Sequence, residues 1–298
     1  MKVLVSGSSG LIGTALISAL QAAGHSPVRL VRGPAEPPGE ISWDIGASRL
    51  DPGSLTGMDA VVHLAGAGIA EHRWSDEYKR VILDSRVAGT ALLVRALTTM
   101  DVPPSVLVSG SAVGFYGDRG DEVLTEESSP GTGFLAEVAQ EWEAAAAPAT
   151  TAGIRTVLLR TGLVLSATGG TLGRLVPLFK SGLGGKIGSG HQWWSWVTLG
   201  DEVQAIVHCL DAQTVQGPTN VTAPNPVTNA EFTDRLGSAL HRPTLVPVPA
   251  PVLSLALGRQ RSRELVLASQ RVLPSALEQS GYVFRHSVLA DALAALFP

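Results

Sequence analysis

Cysteine and charge are both scarce in this sequence. Cys209 is the single cysteine among 298 residues, which excludes a disulfide framework and indicates a reducing compartment. It lies in the segment AIVHCLDA, where we interpret it as a small core residue rather than a nucleophile. Charged residues make up 16% of the chain, and the formal net charge is −4. Because no basic stripe is present, we expect neither nucleic acid nor an anionic membrane as the main partner.

Metal-ligand spacing and membrane-spanning runs are absent as well. The seven histidines are scattered, and none stands at the spacing of a metal site. No apolar run is long enough to cross a bilayer, and no signal peptide precedes the first predicted strand, which begins at Lys2. We therefore expect a cytoplasmic protein without a metal, monomeric or homodimeric, whose partner is a small-molecule substrate.

Strand-type and helix-type segments alternate through the first two-thirds of the chain. The strand-type segments are short, apolar and without the polar alternation of a half-exposed strand: KVLVSG, SPVRLVR, DAVVHLAGAG, SVLVSGSA and RTVLLRTGLVLS. Amphipathic helical segments stand between most of them. This rhythm is typical of a doubly wound parallel sheet, so the sequence predicts an α/β fold.

A glycine-rich turn, GSSGLIG, joins the first predicted strand to the first predicted helix. Gly7 allows the tight turn, Gly10 lets a pyrophosphate approach the backbone, and Gly13 lets the helix pack closely on the sheet. The helix N-terminus attracts phosphate charge. Because the pattern stands in its strand–turn–helix context, it predicts a dinucleotide site; a merely tight turn is the alternative.

The end of the second predicted strand indicates which dinucleotide is bound. NAD sites place an acidic residue there to hold the ribose 2′-hydroxyl, whereas NADP sites use arginine on the 2′-phosphate. The sequence reads RLVRGP, with Arg32 at the strand end and no carboxylate before Glu36. We therefore predict NADP as the cofactor, although a solvated arginine is the simpler interpretation.

Glycine and proline mark changes of organisation further along. Residues 166–196 are rich in glycine, and prolines multiply beyond Pro224 between short helical segments. We expect an NADP-binding domain over residues 1–223 and a smaller C-terminal substrate-side lobe over 224–298, with 166–196 contributing a flap to the cleft.

Motifs along nearly the whole chain resemble those of one family. They are GSSGLIG, VVHLAGAGIAEHRW, DSR, SGSAVGFYG, FLAEVAQEWEAAA, LLRTGLVLS, GLGGKIGSGHQWWSWV, APNPVTNAEF and SQRVLP. The sequence resembles an atypical extended short-chain dehydrogenase/reductase of the epimerase-like branch, which carries its own C-terminal domain. The resemblance implies a Rossmann-type NADP-binding domain with a substrate cleft between it and the C-terminal lobe.

The resemblance also implies which residues contact the cofactor. Leu64, Ala65 and Gly66 are expected beside the adenosine, Arg32 on the phosphate and Arg86 near the cofactor, while Thr161, Gly162 and Leu163 follow the strand that reaches the nicotinamide. The full expected set is Gly7, Ser9, Gly10, Leu11, Ile12, Gly13, Arg32, Leu64, Ala65, Gly66, Arg86 and Leu163.

One departure from the family pattern concerns catalysis. Active members open the helix of residues 134–146 with a tyrosine that transfers a proton, followed four residues later by a lysine that lowers its pKa. Those positions hold Phe134 and Val138, so we expect ordinary sugar-nucleotide epimerase activity to be weak or absent. Two interpretations stay open: an NADP-dependent oxidoreductase or epimerase with an unusual proton donor, and a non-catalytic NADP(H)-binding sensor or scaffold.

Four other residues are candidates for the missing chemistry. Ser111 stands closest to the family's substrate-orienting serine, with a turn-forming hydroxyl as the alternative. Tyr116 is a candidate displaced proton donor, although a ring packed on the cleft wall explains it more simply. Glu143 is a candidate buried acid or an ordinary exposed glutamate. His191 is the histidine expected nearest the cleft.

The segment from 184 to 196 combines glycines with Trp193, Trp194 and Trp196. Backbone freedom and ring area together suggest a mobile flap over the nicotinamide end of the cleft. The alternative is that these tryptophans are locked between core and lobe. Asp201, just after this segment, is expected to cap a helix N-terminus.

Overall fold

The computed structural model describes residues 1–298 and contains strands and helices in alternation. The strands are β1 (Lys2–Ser6), β2 (Ser26–Arg32), β3 (Glu40–Trp43), β4 (Ala60–His63), β5 (Val106–Ala112), β6 (Val123–Leu124), β7 (Arg155–Thr161), β8 (Leu163–Ser166), β9 (Trp193–Trp194), β10 (Trp196–Thr198), β11 (Gly217–Val221), β12 (Val227–Thr228) and β13 (Arg271–Val272). The helices are α1 (Leu11–Ala22), α2 (Asp76–Thr98), α3 (Phe134–Thr151), α4 (Gly170–Lys180), α5 (Leu199–Asp211), α6 (Asn229–Ala239), α7 (Ala250–Leu257), α8 (Arg259–Ser262), α9 (Ser275–Gln279) and α10 (Leu289–Leu296). None of the helices combines the length and apolar character needed to cross a membrane.

Seven strands form one sheet in the order β11-β7-β5-β4-β1-β2-β3. β1 pairs in parallel with both β2 and β4, β2 with β3, and β4 with β5. The chain winds in one direction from β1 to β3 and in the other from β4 outward, so the order reverses between β1 and β4. This arrangement confirms the predicted doubly wound α/β fold, and its C-terminal edge at the reversal is where such sheets bind ligands.

The central strands are buried on both faces, which explains why they read as continuous apolar runs. In β1 and β4, Val3, Leu4, Val5, Val61 and Val62 are inaccessible to solvent. The core of this region adds side chains from β2, α2, β5 and the turn after α3, among them Leu30, Leu92, Leu93, Leu97, Leu107 and Ile154.

The chain divides into two compact units, each built from several segments. The first unit comprises Met1–Ser111, Val138–Leu159 and Val203–Thr219; the second comprises Ala112–Glu137, Arg160–Glu202 and Asn220–Pro298. The predicted lobe of residues 224–298 lies wholly within the second unit. A domain boundary after residue 223 stays a prediction.

The second unit has its own apolar core and three small sheets. β8 pairs in parallel with β10, β9 antiparallel with β12, and β6 in parallel with β13. The core unites α4, α6 and α10 around a fully buried tryptophan: Leu165, Leu172, Phe179, Trp196, Phe232, Leu236, Leu289 and Leu293.

Asp201 occupies a different helix position from the one expected. At the start of α5 the Thr198 hydroxyl accepts a hydrogen bond from the Asp201 N–H at 3.0 Å and donates one to Asp201 Oδ2 at 2.7 Å. Thr198 is therefore the N-cap and Asp201 the third helical residue, so the expectation that Asp201 is the cap was wrong. The Asp201 carboxylate also accepts from the N–H groups of Arg285 and His286, and thereby fixes the C-terminal segment to α5.

The turn after β1 leaves no room for side chains at two of its glycines. Gly7 has φ +69°, and a Cβ there would lie 2.7 Å from the carbonyl carbon of Leu64. A Cβ at Gly13 would overlap the carbonyl oxygen of Gly7. The close approach of α1 to β1 therefore depends on glycine at both positions.

We predict that Gly13→Ala destabilises the protein. The added methyl group meets backbone that cannot move aside, and such overpacking costs about 1–3 kcal/mol. Gly39→Ala is the matched control, because nothing lies within 4 Å of a Cβ at that position and a change within about 0.5 kcal/mol is expected. Urea unfolding of both variants measures the difference; equal unfolding free energies would contradict the packing argument.

Candidate functional site

The N-terminus of α1 is open toward the C-terminal edge of the sheet. Gly10 caps the helix without a side-chain hydrogen bond, and the first turn contains no acidic residue. A Cβ at Gly10 would meet only the Gly7 carbonyl oxygen, at 3.3 Å. The first N–H groups of the helix therefore remain available, and with the helix dipole they favour a bound anion.

A buried hydrogen-bond chain joins the turn after β1 to the loop after β4. Ser6 Oγ accepts from the N–H groups of Leu64 and Ala65, at 3.2 and 3.3 Å. With both of those donors directed at its oxygen, Ser6 donates its own proton to His63 Nδ1, at 2.6 Å. His63 Nε2 then carries the ring proton and donates to Thr90 Oγ1, at 3.0 Å.

Burial keeps His63 neutral at physiological pH. Complete burial lowers the pKa of His63 from 6.5 to about 4, because the charged ring would lose its hydration. The ring therefore holds one tautomer across the physiological range and fixes the loop of residues 64–66, which is expected to contact the cofactor. His63 was not singled out from the sequence, where its only signal is a polar residue ending a buried strand.

Arg32 lies at the C-terminal end of β2, in register with Trp43 on β3. Its side chain is exposed and forms no ion pair or hydrogen bond within the protein. Glu36 is the next carboxylate along the chain, and its backbone N–H donates a hydrogen bond to Glu40 Oε2 at 3.1 Å. The edge of the sheet beside the turn thus presents a free guanidinium, as an NADP site requires.

A second guanidinium lies beside the loop after β4. Arg86 Nη1 donates to the carbonyl oxygens of Ala67 and Ile82, both at 3.0 Å, and Arg86 Cζ lies 5.0 Å from the centre of the Trp142 ring. A Cβ at Gly66 would lie 3.1 Å from Arg86 Cζ. Burial lowers the pKa of Arg86 to about 10, so the group stays charged at neutral pH. It has no carboxylate partner.

The end of β5 packs against α3 and forms a serine–glutamate pair. A Cβ at Gly110 would lie 2.8 Å from the Trp142 ring, so glycine allows this close approach. Next along the strand, the buried Ser111 hydroxyl donates to Glu143 Oε1 at 2.6 Å. The bond joins two candidates from the sequence, and their pairing is visible only in the structure.

The first unit therefore gathers most of the expected site residues at one sheet edge. The ends of β1, β2, β4 and β5 carry the glycine turn, Arg32, the loop of residues 64–66 and Ser111. Arg86 and Glu143 approach from α2 and α3. This is the edge at the strand-order reversal, where doubly wound sheets bind nucleotides.

Tyr116 belongs to the second unit and is enclosed there. Its ring is fully buried, and its hydroxyl donates to Asn220 Oδ1 at 2.7 Å while accepting from Arg160 Nη1 at 3.0 Å. Burial raises the pKa of the Tyr116 hydroxyl. The hydroxyl is therefore engaged within the second unit, and a role for Tyr116 as proton donor stays a prediction.

The segment of residues 184–196 is held by many contacts inside the second unit. A Cβ at Gly184 would lie 2.5 Å from the Phe179 ring, and one at Gly185 would overlap the carbonyl oxygen of Val246. The Ile187 N–H donates to Asn229 Oδ1 at 2.7 Å. The indole N–H groups of the three tryptophans all donate: Trp193 to Asp121, Trp194 to Val266 and Trp196 to Asn225.

These contacts explain the glycines by close packing rather than by mobility. The glycine content therefore does not support a mobile flap, which stays a prediction. His191 lies in the same segment with an exposed side chain, and its N–H donates to Ser189 Oγ. Its expected catalytic role stays a prediction.

The start of α3 carries a carboxylate where the family pattern has tyrosine. The Leu135 N–H, next to Phe134, donates to Glu264 Oε2 at 2.8 Å, and Gln260 Nε2 donates to Glu264 Oε1 at 2.9 Å. Glu264 comes from a π-helical turn, Arg263–Leu267. Gly133, with φ +110°, leaves space for the carboxylate. Sequence reasoning missed Glu264, because nothing local links it to a helix more than a hundred residues earlier.

Glu202 is a second carboxylate that the sequence did not reveal. Thr161, at the end of β7, donates to Glu202 Oε1 at 2.8 Å, and Glu202 Oε2 is buried without a hydrogen bond. Burial raises the pKa of Glu202 to about 8.

Gly162 packs against the Ser195 carbonyl oxygen, and the Leu163 N–H donates to that same oxygen at 2.8 Å. The three residues expected beside the nicotinamide thus follow a rigid, closely packed strand end.

Two family models match the chain. The NAD dependent epimerase/dehydratase family model matches residues 3–222, and a domain of unknown function, DUF1731, matches residues 248–296. An epimerase family protein of Mycobacterium tuberculosis is 45% identical over 291 residues, which are 98% of this chain and 96% of that relative.

Solved structures give the same result. The human epimerase family protein SDR39U1 (isoform 2), crystallised with NADPH, has a TM-score of 0.91 and 36% identity and covers 99% of each chain. UDP-N-acetylglucosamine 4-epimerase from Bacillus cereus has a TM-score of 0.76 at 17% identity, over 100% of this chain and 98% of that one. The latter likeness concerns the fold alone.

We predict that Glu202 makes stability fall as pH rises. Its pKa is higher in the folded protein than in the unfolded chain, so its contribution is fully present below about pH 4.5 and is lost through about pH 8. The loss is on the order of 3–5 kcal/mol. Glu202→Gln should remove this slope, and Glu137→Gln, which changes an exposed glutamate of α3, should keep it. Urea unfolding across this pH range tests the claim; parallel curves for wild type and Glu202→Gln would refute it.

Proposed function

Because the chain belongs to the NAD dependent epimerase/dehydratase family, we propose that it is an NADP(H)-binding oxidoreductase or epimerase that acts on a small molecule. The family match confirms the resemblance drawn from the motifs, including the separate C-terminal domain. The observation that carries the proposal is the edge at β1 and β4, which has a helix N-terminus without a side-chain cap, the free guanidinium of Arg32 and the charged Arg86, and no carboxylate paired with either arginine. The human relative crystallised with NADPH adds support.

The residues at this edge fit a phosphorylated dinucleotide. Glycine at positions 7 and 13 lets α1 pack closely against the turn after β1, and the N–H groups of Leu11 and Ile12 lie at the positive end of α1. We assign the pyrophosphate to this N-terminus, together with Ser9. The exposed Arg32 is assigned to the ribose 2′-phosphate.

The remaining cofactor contacts are assigned to the loop after β4 and its neighbours. Leu64, Ala65 and Gly66 are held by the Ser6–His63 chain and lie beside the charged Arg86. Leu163 is assigned to the nicotinamide end. In this proposal residues 1–223 form the NADP-binding domain, and residues 224–298 form the substrate-side lobe.

Ser111 and Glu143 supply the proton transfer in this proposal. The nicotinamide supplies hydride chemistry when it is bound. The Ser111 proton points at Glu143, so the Ser111 oxygen has lone pairs left to accept a hydrogen bond from a substrate hydroxyl. On oxidation, the substrate O–H proton passes to Ser111 as Ser111 passes its own proton to Glu143; NADP⁺, when bound, would accept the hydride from the carbinol carbon. Reduction runs the same transfers in reverse.

Phe134 and Val138 favour a second candidate function. Neither side chain can transfer a proton or hold a positive charge, so the family's usual mechanism is missing. A protein that kept the dinucleotide site without this pair could serve as a non-catalytic NADP(H)-binding sensor or scaffold. The Ser111–Glu143 pair is the observation that favours catalysis over this alternative.

Cofactor preference tests the proposed site. We expect NADPH to bind more tightly than NADH, and Arg32→Ala to remove most of the preference, because a charge-assisted phosphate contact is worth about 1.5–3 kcal/mol. Arg29→Ala is the control, since Arg29 is an exposed arginine of the same strand whose side chain points to the opposite face. Calorimetric titration measures all affinities. Equal binding of the two cofactors by the wild type would reject the assignment.

The serine–glutamate pair has its own test. Fractions of a small-molecule extract are added to the protein with NADP⁺ or NADPH, and turnover is followed by nicotinamide absorbance. For any substrate found, Ser111→Ala and Glu143→Gln should each lower kcat by about 10²–10⁴-fold, the usual range of acid–base catalysis, while NADPH affinity stays unchanged. Glu141→Gln, two residues away on the exposed face of α3, should keep full activity.

Two outcomes would count against this mechanism. Unchanged kcat in Glu143→Gln would remove the glutamate from the proton path. NADPH binding without turnover in any fraction would favour the sensor or scaffold function.

A further inference from the structure

Helix α7 is apolar on every side, yet none of its residues is buried. Its sequence is APVLSLAL, and Val252 and Leu255 are 57% and 83% exposed. These two residues stand three apart and so share one face. The one polar side chain of the helix, Ser254, is engaged with Ser262. A helix of this composition is ordinarily covered, so its exposed face indicates a partner.

Further exposed apolar residues lie in segments joined to the start of α7. Leu245 is 84% exposed and Leu183, just after α4, is 58% exposed. The two segments are bonded together, since the Val248 N–H donates to the Lys186 carbonyl and the Gly188 N–H to the Val248 carbonyl. A Cβ at Gly188 would lie 3.9 Å from the Ala250 Cβ, at the first residue of α7. We call this region, formed by residues 174–188 and 242–263, the α7 surface.

The α7 surface is also basic, although the chain as a whole is acidic. The sequence contains no Asp or Glu from 144 to 200 or from 235 to 263. Six exposed cations lie in the two segments, and five of them form no ion pair with a carboxylate: Lys180, Lys186, Arg242, Arg259 and Arg263. Arg242 binds the Lys180 carbonyl oxygen, which places cations of both segments side by side.

We propose that the α7 surface binds an anionic lipid membrane from one side, without spanning it. Protruding apolar side chains enter the boundary between headgroups and acyl chains, and the surrounding cations bind the negative headgroups. The expectation of no membrane partner used the charge of the whole chain, whereas the fold gathers the basic and acid-free segments on one surface. The inference is independent of the proposed cofactor chemistry.

Charge disfavours a second copy as the occupant, and side-chain exposure favours a membrane over an acidic protein. A second copy packed on the same surface by a two-fold axis would bring the five cations of each protomer against those of the other. An acidic protein would neutralise the five cations as anionic lipid does. The most exposed apolar side chains, Leu245 and Leu255, project with more than four-fifths of their surface free, which suits insertion among lipid chains.

Vesicle binding tests the proposal. The full chain is sedimented with vesicles of phosphatidylcholine alone and with vesicles of equal parts phosphatidylcholine and phosphatidylglycerol. We expect binding to the mixed vesicles, little to the neutral ones, and weaker binding at high salt. Arg259→Ala and Arg263→Ala should each lower the partition coefficient about fivefold, and Leu255→Asp should abolish binding.

Matched variants separate this surface from general effects. Val283→Asp puts the same charge on another exposed aliphatic side chain of the second unit, and Arg80→Ala removes an exposed arginine of the first unit; both should bind as the wild type does. Failure to bind the mixed vesicles, or equal binding by Leu255→Asp, overturns the proposal. A dimer in light scattering that Leu255→Asp dissociates, without vesicle binding, assigns the surface to a second copy instead.

Discussion

The contact between the turn after β1 and the loop after β4 is the constraint on which the proposed site depends. Gly7 must be glycine because its φ is +69° and the Leu64 backbone fills the space of a side chain. Ser6 then binds the N–H groups of Leu64 and Ala65, and His63 and Thr90 complete the chain behind it. Both loops are therefore positioned by buried neutral groups before any ligand arrives, which lowers the entropy lost on binding.

Close approach of neighbouring atoms also explains why glycine is needed at positions 184 and 185 of the second unit. Gly184 and Gly185 face the Phe179 ring and the Val246 carbonyl so closely that no Cβ fits. Glycine is needed there by the packing of the neighbours, and hydrogen bonds along the segment hold it. A glycine-rich run in a sequence is compatible with a mobile loop and with a crowded one, and only the surrounding contacts distinguish the two.

The local features of this protein were predictable from its sequence, whereas its long-range contacts were not. The α/β class and the turn at Gly7, Gly10 and Gly13 were predictable because strand period, glycine spacing and helix position are local properties. The environments of Tyr116 and Glu202 were not predictable, since each depends on residues distant in the chain. Tyr116 donates a hydrogen bond to Asn220, and Glu202 accepts one from Thr161. Burial and partner decide the protonation state of such groups, and neither can be read from a motif.

The replacement of tyrosine and lysine by Phe134 and Val138 changes the kind of proton chemistry available. A tyrosine beside a lysine serves as donor or acceptor, because the cation stabilises the phenolate. A serine that donates to a carboxylate is better suited to accepting a proton from the substrate than to donating one. The Ser111 proton already points at Glu143, and the Glu143 carboxylate can accept it as general base. The pair therefore suits removal of a proton from a substrate hydroxyl better than its delivery. In the proposed mechanism this arrangement favours oxidation of an alcohol by NADP⁺, and reduction would require that Glu143 first be protonated.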